Sequence, residues 1–164
     1  LARRQPAATD LRLIIAVVKT ITDLERIGDE AEKIGRMAAR LASNPPPNGS
    51  LPAVEAMGRR VSMMVHRVLD AFARLDAEEA LEIAKEDRRV DSEYESISRQ
   101  CLTFMLEDPR TIRPVMDLQW AIRALERIGD HARNISEYVI YLIQGKDVRH
   151  TSLAQVQAEL AGNG

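Results

Sequence analysis

Cysteine, aromatic side chains and an excess of either charge are what this chain largely does without. Its one cysteine, Cys101, can form no internal disulfide, which fits a reducing compartment. Aromatics make up 4% of the residues and the formal net charge is −2. That leaves no basic stripe interleaved with aromatic rings, so a nucleic-acid surface is not expected. No apolar run reaches the length of a membrane span, and no signal peptide or lipidation motif is visible. A P-loop and a Ser-His-Asp constellation are missing too. These absences point to a soluble, cytoplasmic, non-enzymatic protein, with any membrane contact made through a partner rather than by direct insertion. What remains is rich in Ala, Arg, Glu and Leu, with 29% charged residues. That composition favours an all-α fold.

The chain is organised around a repeat. Leu24-Glu25-Arg26-Ile27-Gly28-Asp29 recurs letter for letter as Leu125-Glu126-Arg127-Ile128-Gly129-Asp130. The match spreads beyond the hexapeptide, pairing Ile21 with Ile122, Ala31 with Ala132, Ile34 with Ile135 and Leu41 with Leu142. A repeat of this extent marks a duplicated structural unit. In both copies apolar or small residues advance in steps of three and four. They are Val115, Leu118, Ile122, Leu125, Gly129, Ala132 and Ile135 in one, and Ile14, Val17, Ile21, Leu24, Gly28, Ala31 and Ile34 in the other. That is the seam of a bundle helix. Glycine within a helix costs about 1 kcal/mol relative to alanine. Its place on the seam in both copies predicts close approach by another helix.

Taken in order, the chain predicts a long helix over 10–43, roughly 50 Å at 1.5 Å per residue. Leu1 to Pro6 reads as a helix terminus running into a proline stop. Residues 44–52 carry three consecutive prolines and form a stiff linker. Helices over 53–75, 77–106 and 111–144 then make a complete three-helix unit spanning 53–145. Asp76 and Glu79 form a capping box, and Gly145 a C-cap. Residues 146–164 are expected to be a mobile tail with a short helix near 153–160.

Chemistry is carried by acidic pairs four residues apart: Glu25/Asp29, Asp87/Asp91 and Glu126/Asp130. Like charges one helical turn apart repel, so something positive should face them. An arginine or lysine from a neighbouring helix would serve, Arg88, Arg89, Arg123 and Arg127 being candidates for Asp87. A metal cation held between facing helices would serve equally. Asp87 falls on an apolar seam, where an unpaired carboxylate is costly. A bundle-core di-metal enzyme would need Glu-x-x-His on two helices, and no such motif occurs. His131, next to Asp130, is expected to be exposed, and His66/Asp70 to be a surface pair.

The doubled hexapeptide, the stretch Gln5-Pro6-Ala7-Ala8-Thr9-Asp10-Leu11-Arg12, the run Asp87-Arg88-Arg89-Val90-Asp91 and Glu107-Asp108-Pro109-Arg110-Thr111-Ile112 together resemble the PhoU family. The resemblance covers nearly the whole chain. It implies two tandem three-helix bundles, of which residues 1–43 are similar to the third helix of the first and 53–145 to the complete second. The first helix is then expected to bare an apolar seam, covered most simply by a second copy in a homodimer that exchanges helices. The family's acidic motif implies metal binding at Asp87, Asp91, Glu126 and Asp130, extended by Asn134 and Glu137. Glu25 and Asp29 would bind only if another chain completed their site. All-oxygen ligands suit Mg, Mn, Ca or Fe more than Zn. The implied function is negative regulation of the phosphate-starvation response, linking the ATPase of a phosphate ABC transporter to a phosphate-sensing histidine kinase. A metal-free structural bundle is the alternative reading of the same residues.

Overall fold

A computed structural model describes residues 4–145 and 153–162. The described residues are helical throughout apart from short connections. α1 spans Arg4–Ser43, α2 Leu51–Arg74, α3 Ala77–Glu107, α4 Ile112–Gln144 and α5 Leu153–Gly162. α1 starts ahead of Pro6 rather than after it. A proline is tolerated in a first turn, where its missing N–H has no intrahelical partner to lose. α2 likewise starts two residues sooner than expected and takes Pro52 into its first turn.

Each boundary has a local cause. The hydroxyl of Ser50 donates to the Pro47 carbonyl at 2.7 Å, which closes the proline linker onto α2. At the end of α2, Leu75 turns left-handed at φ 53°, and Asp76 donates its N–H back to Ala71 O at 2.9 Å. The Asp76 carboxylate then accepts from the Glu79 N–H at 3.0 Å and caps α3. The side chain of Glu79 turns away from the cap to Arg67. α3 stops at Asp108, whose carboxylate accepts from the Arg110 N–H at 3.1 Å across a single 3-10 turn, Pro109–Thr111. Gly145 ends α4 at φ 65°.

α2, α3 and α4 form the three-helix unit. Met57, Val61, Met64 and Val68 from α2 meet Ile83, Val90, Ile97 and Cys101 from α3 and Val115, Leu118, Ile122 and Ile135 from α4. All are buried, and each contributes roughly 1.5–3 kcal/mol by leaving water. Burial also pushes the Cys101 thiol above its ordinary range. Met63, beside Met64, faces outward. α5 occupies part of the stretch expected to be mobile. Val156 is buried and Leu160 half-buried against Ala80, Leu81, Val139 and Ile140. The remainder, 146–152 and 163–164, lies outside the described residues.

α1 was expected to lack cover from its own chain, and this holds for only part of it. It runs antiparallel to α4 and lays Leu24, Ile27, Ile34 and Leu41 against the core. Polar contacts fix the direction. Asp23 meets Tyr138, Glu30 meets Arg127 and Arg40 meets Asp117, so numbers rise along one helix as they fall along the other. The N-terminal part of the seam stays bare, with Ile14 59%, Val17 37% and Ile21 51% exposed.

Candidate metal centre

The site forms at a close approach of α3 and α4. Gly129 permits that approach. A Cβ added there would lie 3.3 Å from Val90 Cγ1 and 3.4 Å from Asp87 Oδ1. Close contact places Asp87, one turn before Val90 on α3, directly under the second hexapeptide. Asp91 follows one turn later, and Asp130 projects from α4.

Asp87, Asp91 and Asp130 each bring a carboxylate oxygen within 4.8 Å of the others, the one such group among the described residues. Asp87 is buried, Asp91 half-buried and Asp130 exposed, so the cluster opens to solvent on one side. Burial pushes Asp87 up to about 6, and the charges of Asp91 and Asp130 push the same way. Asp130, open to solvent on one side, is raised first by the partial desolvation of its carboxyl where it faces α3 and then by the charges of Glu126 and Asp91. Arg133 opposes the shift at Asp87, and His131 and Arg123 oppose the one at Asp130. The Nη1 of Arg133 lies 3.4 Å from Asp87 Oδ2, and the same side chain also reaches Glu137 at 3.3 Å. One arginine shared between two carboxylates leaves Asp87 undercompensated. Asp87 Oδ1 is buried with no hydrogen-bond partner, a costly state for an ionised oxygen. The three converging carboxylates, Asp87 among them, offer hard oxygen donors that fit a hard cation such as Mg, Mn, Ca or Fe, and fit zinc less well.

Several expected members stand elsewhere. Glu126 accepts from Arg123 at 2.6 Å instead of joining the trio. Glu25 and Asp29 are exposed on α1 and outside it. Asn134 donates to Asp23 at 3.1 Å, and Glu137 faces Arg133, so neither extends the site. Asp87 is met by Arg133 rather than by Arg88, Arg89, Arg123 or Arg127. His131 is half-buried, not exposed, with Nδ1 2.7 Å from Asp23 Oδ1. His66 and Asp70 are exposed. Asp23 itself was missed. Its only signal was that it stands immediately before the first hexapeptide, where the second copy has Ala124. A family resemblance directs attention to what the copies share, not to where they differ.

Comparison with known proteins agrees with this architecture. A family model described as the PhoU domain matches residues 1–38 and 54–139. The phosphate-specific transport system accessory protein PhoU homolog of Pseudomonas aeruginosa is 52% identical over 99% of this chain and 67% of its own length. The phosphate-specific transport system accessory protein PhoU of Escherichia coli strain K12 is 47% identical over the same shares. The chain thus spans about two thirds of the length of these relatives. A crystal structure of PhoU from Pseudomonas aeruginosa superposes with a TM-score of 0.83 at 53% identity, covering 89% of this chain and 70% of that one. The phosphate transport system regulatory protein PhoU from Streptococcus pneumoniae superposes at 0.77 with 30% identity, over 85% of this chain and 66% of that one.

Proposed function

The chain belongs to the PhoU family, and from that premise we propose that it is a non-enzymatic accessory protein of phosphate transport that negatively regulates the phosphate-starvation response. It would do so in the cytoplasm by contacting the ATPase of the phosphate ABC transporter and the phosphate-sensing histidine kinase, reaching the membrane only through the transporter. The observation that carries this reading is identity of about half over nearly the whole chain to proteins named as transport-system accessory proteins. Among the described residues no helix is long and apolar enough to cross a membrane, which suits a peripheral role.

The reading includes a hard cation held by Asp87, Asp91 and Asp130. The unpartnered Asp87 Oδ1 supports it. When bound, the ion would supply positive charge between α3 and α4 and pin the two helices at Gly129. It would have no turnover to perform. The bare seam of α1 at Ile14, Val17 and Ile21 suits a homodimer contact.

Calorimetry with the purified ATPase subunit and with the cytoplasmic part of the kinase, each with and without Mn²⁺, tests the proposal. Binding to at least one is expected, weakened in Asp87→Asn if the ion organises the docking surface. Failure to bind either under both conditions would remove the regulatory reading. Binding that ignores both Mn²⁺ and Asp87→Asn would remove the metal alone. A monomer mass by light scattering would remove the dimer.

A further inference from the structure

Because α1 and α4 run antiparallel and carry the same repeat, the helix pair has two ends built to one plan. At one end Asp23 is inserted between the helices. It is buried, and its oxygens lie 2.7 Å from His131 Nδ1, 3.1 Å from Asn134 Nδ2 and 2.7 Å from the Tyr138 hydroxyl. Ala124 holds the corresponding place in the second copy, directly before Leu125 as Asp23 is directly before Leu24. At that other end, a cavity of about 310 Å³ opens between the helices, with Ala124 and Met37 in its wall.

The cavity is lined by Lys33, Arg36 and Arg40 from α1 and by Arg123, Arg127 and Trp120 from α4. One lining carboxylate, Glu30, is shared by Lys33 at 3.1 Å and Arg127 at 3.5 Å. The other partners, Glu32 to Arg36, Asp117 to Arg40 and Glu126 to Arg123, are not among the lining residues. These cationic side chains are 44–64% exposed while Glu30, Asp117 and Glu126 are largely buried, so the cations keep an open side towards an incoming anion; only the Arg36–Glu32 pair is exposed on both sides and therefore weak. In a chain of net charge −2, five cations to one carboxylate in the wall of a single cavity are a local excess on that wall. Trp120 is 60% exposed beside them.

We propose that this cavity binds a small organic polyanion with a flat apolar part, of the nucleoside phosphate class. Guanidinium forks match phosphate oxygens two at a time. An exposed indole offers a stacking face for a base. The volume lies at the small end of small-molecule sites, which span roughly 300–1,000 Å³; it suits one nucleotide better than a segment of a partner chain. The incoming phosphate takes the role that Asp23 plays at the opposite end.

Trp120 is the only tryptophan, so its fluorescence reports on this cavity alone. Mant-ADP titrated into the whole chain is expected to show saturable energy transfer from Trp120. ADP should displace it well, pyrophosphate less well and adenosine hardly at all. Arg123→Ala with Arg127→Ala, the first half-buried and the second exposed, should weaken binding about tenfold or more, with the unfolding midpoint followed alongside to show that the double variant stays folded at the titration temperature. Ala124→Asp, which installs the carboxylate of the opposite end, should abolish it. Absence of transfer at millimolar mant-ADP overturns the proposal, as does transfer that survives both variants. Displacement by a poly-glutamate peptide as efficient as by ADP overturns the small-molecule assignment and makes the cavity a seat for an acidic partner segment.

Discussion

Leu24–Asp29 and Leu125–Asp130 are identical in sequence and unlike in surroundings. Around the second copy, Val115, Leu118 and Ile122 are sealed at 0–1% exposure, and Gly129 is pressed by Val90 and Asp87. Around the first, Ile14, Val17 and Ile21 face outward, and a Cβ on Gly28 would meet nothing within 4 Å. The same letters give a packed seam in one place and a bare one in the other because α2 and α3 flank α4, whereas among the described residues α1 packs chiefly on α4. A helix's pattern states which face wants cover; its neighbours decide whether cover arrives.

The sharpest way to break this comparison is to truncate one isoleucine in each copy. Ile122→Ala is expected to cost about 2–5 kcal/mol in urea unfolding, since it empties a sealed site. Ile21→Ala should stay within about 0.5 kcal/mol, as exposed positions do. Equal losses would mean that the first seam is covered in solution, and a concentration-dependent midpoint would identify a second copy as the cover.

Next in size is Asp87. Its folded pKa, about 6, lies above the ordinary 3.8, so the folded chain holds a proton that the unfolded chain releases. Stability should therefore fall as pH rises from about 4 to about 6, by roughly 2–3 kcal/mol, and then level off. Urea titrations in chelator should show that slope in the wild type and lose it in Asp87→Asn. Mn²⁺ at a hundred times its Kd should restore about 2.7 kcal/mol at pH 7. Asp29→Asn, in the exposed copy, should change none of this.

Asp23→Ala should cost about 2 kcal/mol by removing the shared partner of His131, Asn134 and Tyr138, and Asp23→Asn less. A loss below 0.5 kcal/mol, taken as an order-of-magnitude threshold, would show that the three groups are satisfied without it. The smallest effect belongs to the glycines. Gly28→Ala should raise stability by about 0.5–1 kcal/mol. Gly129→Ala should lower it by about 1 kcal/mol, because buried Val90 cannot retreat. Opposite shifts in melting temperature support the comparison; shifts of the same sign break it.

Much of the architecture was legible before any coordinates. The seam periodicity located α3 and α4 within a residue and the C-terminal end of α1, though α1 starts six residues sooner than expected, and Asp76 and Gly145 marked ends that the structure keeps. Two of the three acidic pairs were less transferable. Glu126 and Asp130 share a helix face, yet Arg123, one turn back, draws Glu126 aside. Glu25 and Asp29 repeat the motif and meet no facing carboxylate. Arg133, which does meet Asp87, was not foreseen, because spacing along one helix says nothing about which residue of the next stands opposite.

Helix identity, the duplication and the burden on Asp87 followed from local rules alone. Apolar steps of three and four, cap residues and a carboxylate on a seam each act within one or two turns. Which copy of the hexapeptide is packed, which three carboxylates converge, and that Ala124 leaves a cationic cavity where Asp23 fills one were settled only by tertiary packing. Those outcomes depend on the register and direction with which separate helices meet, and no spacing within a single helix encodes that.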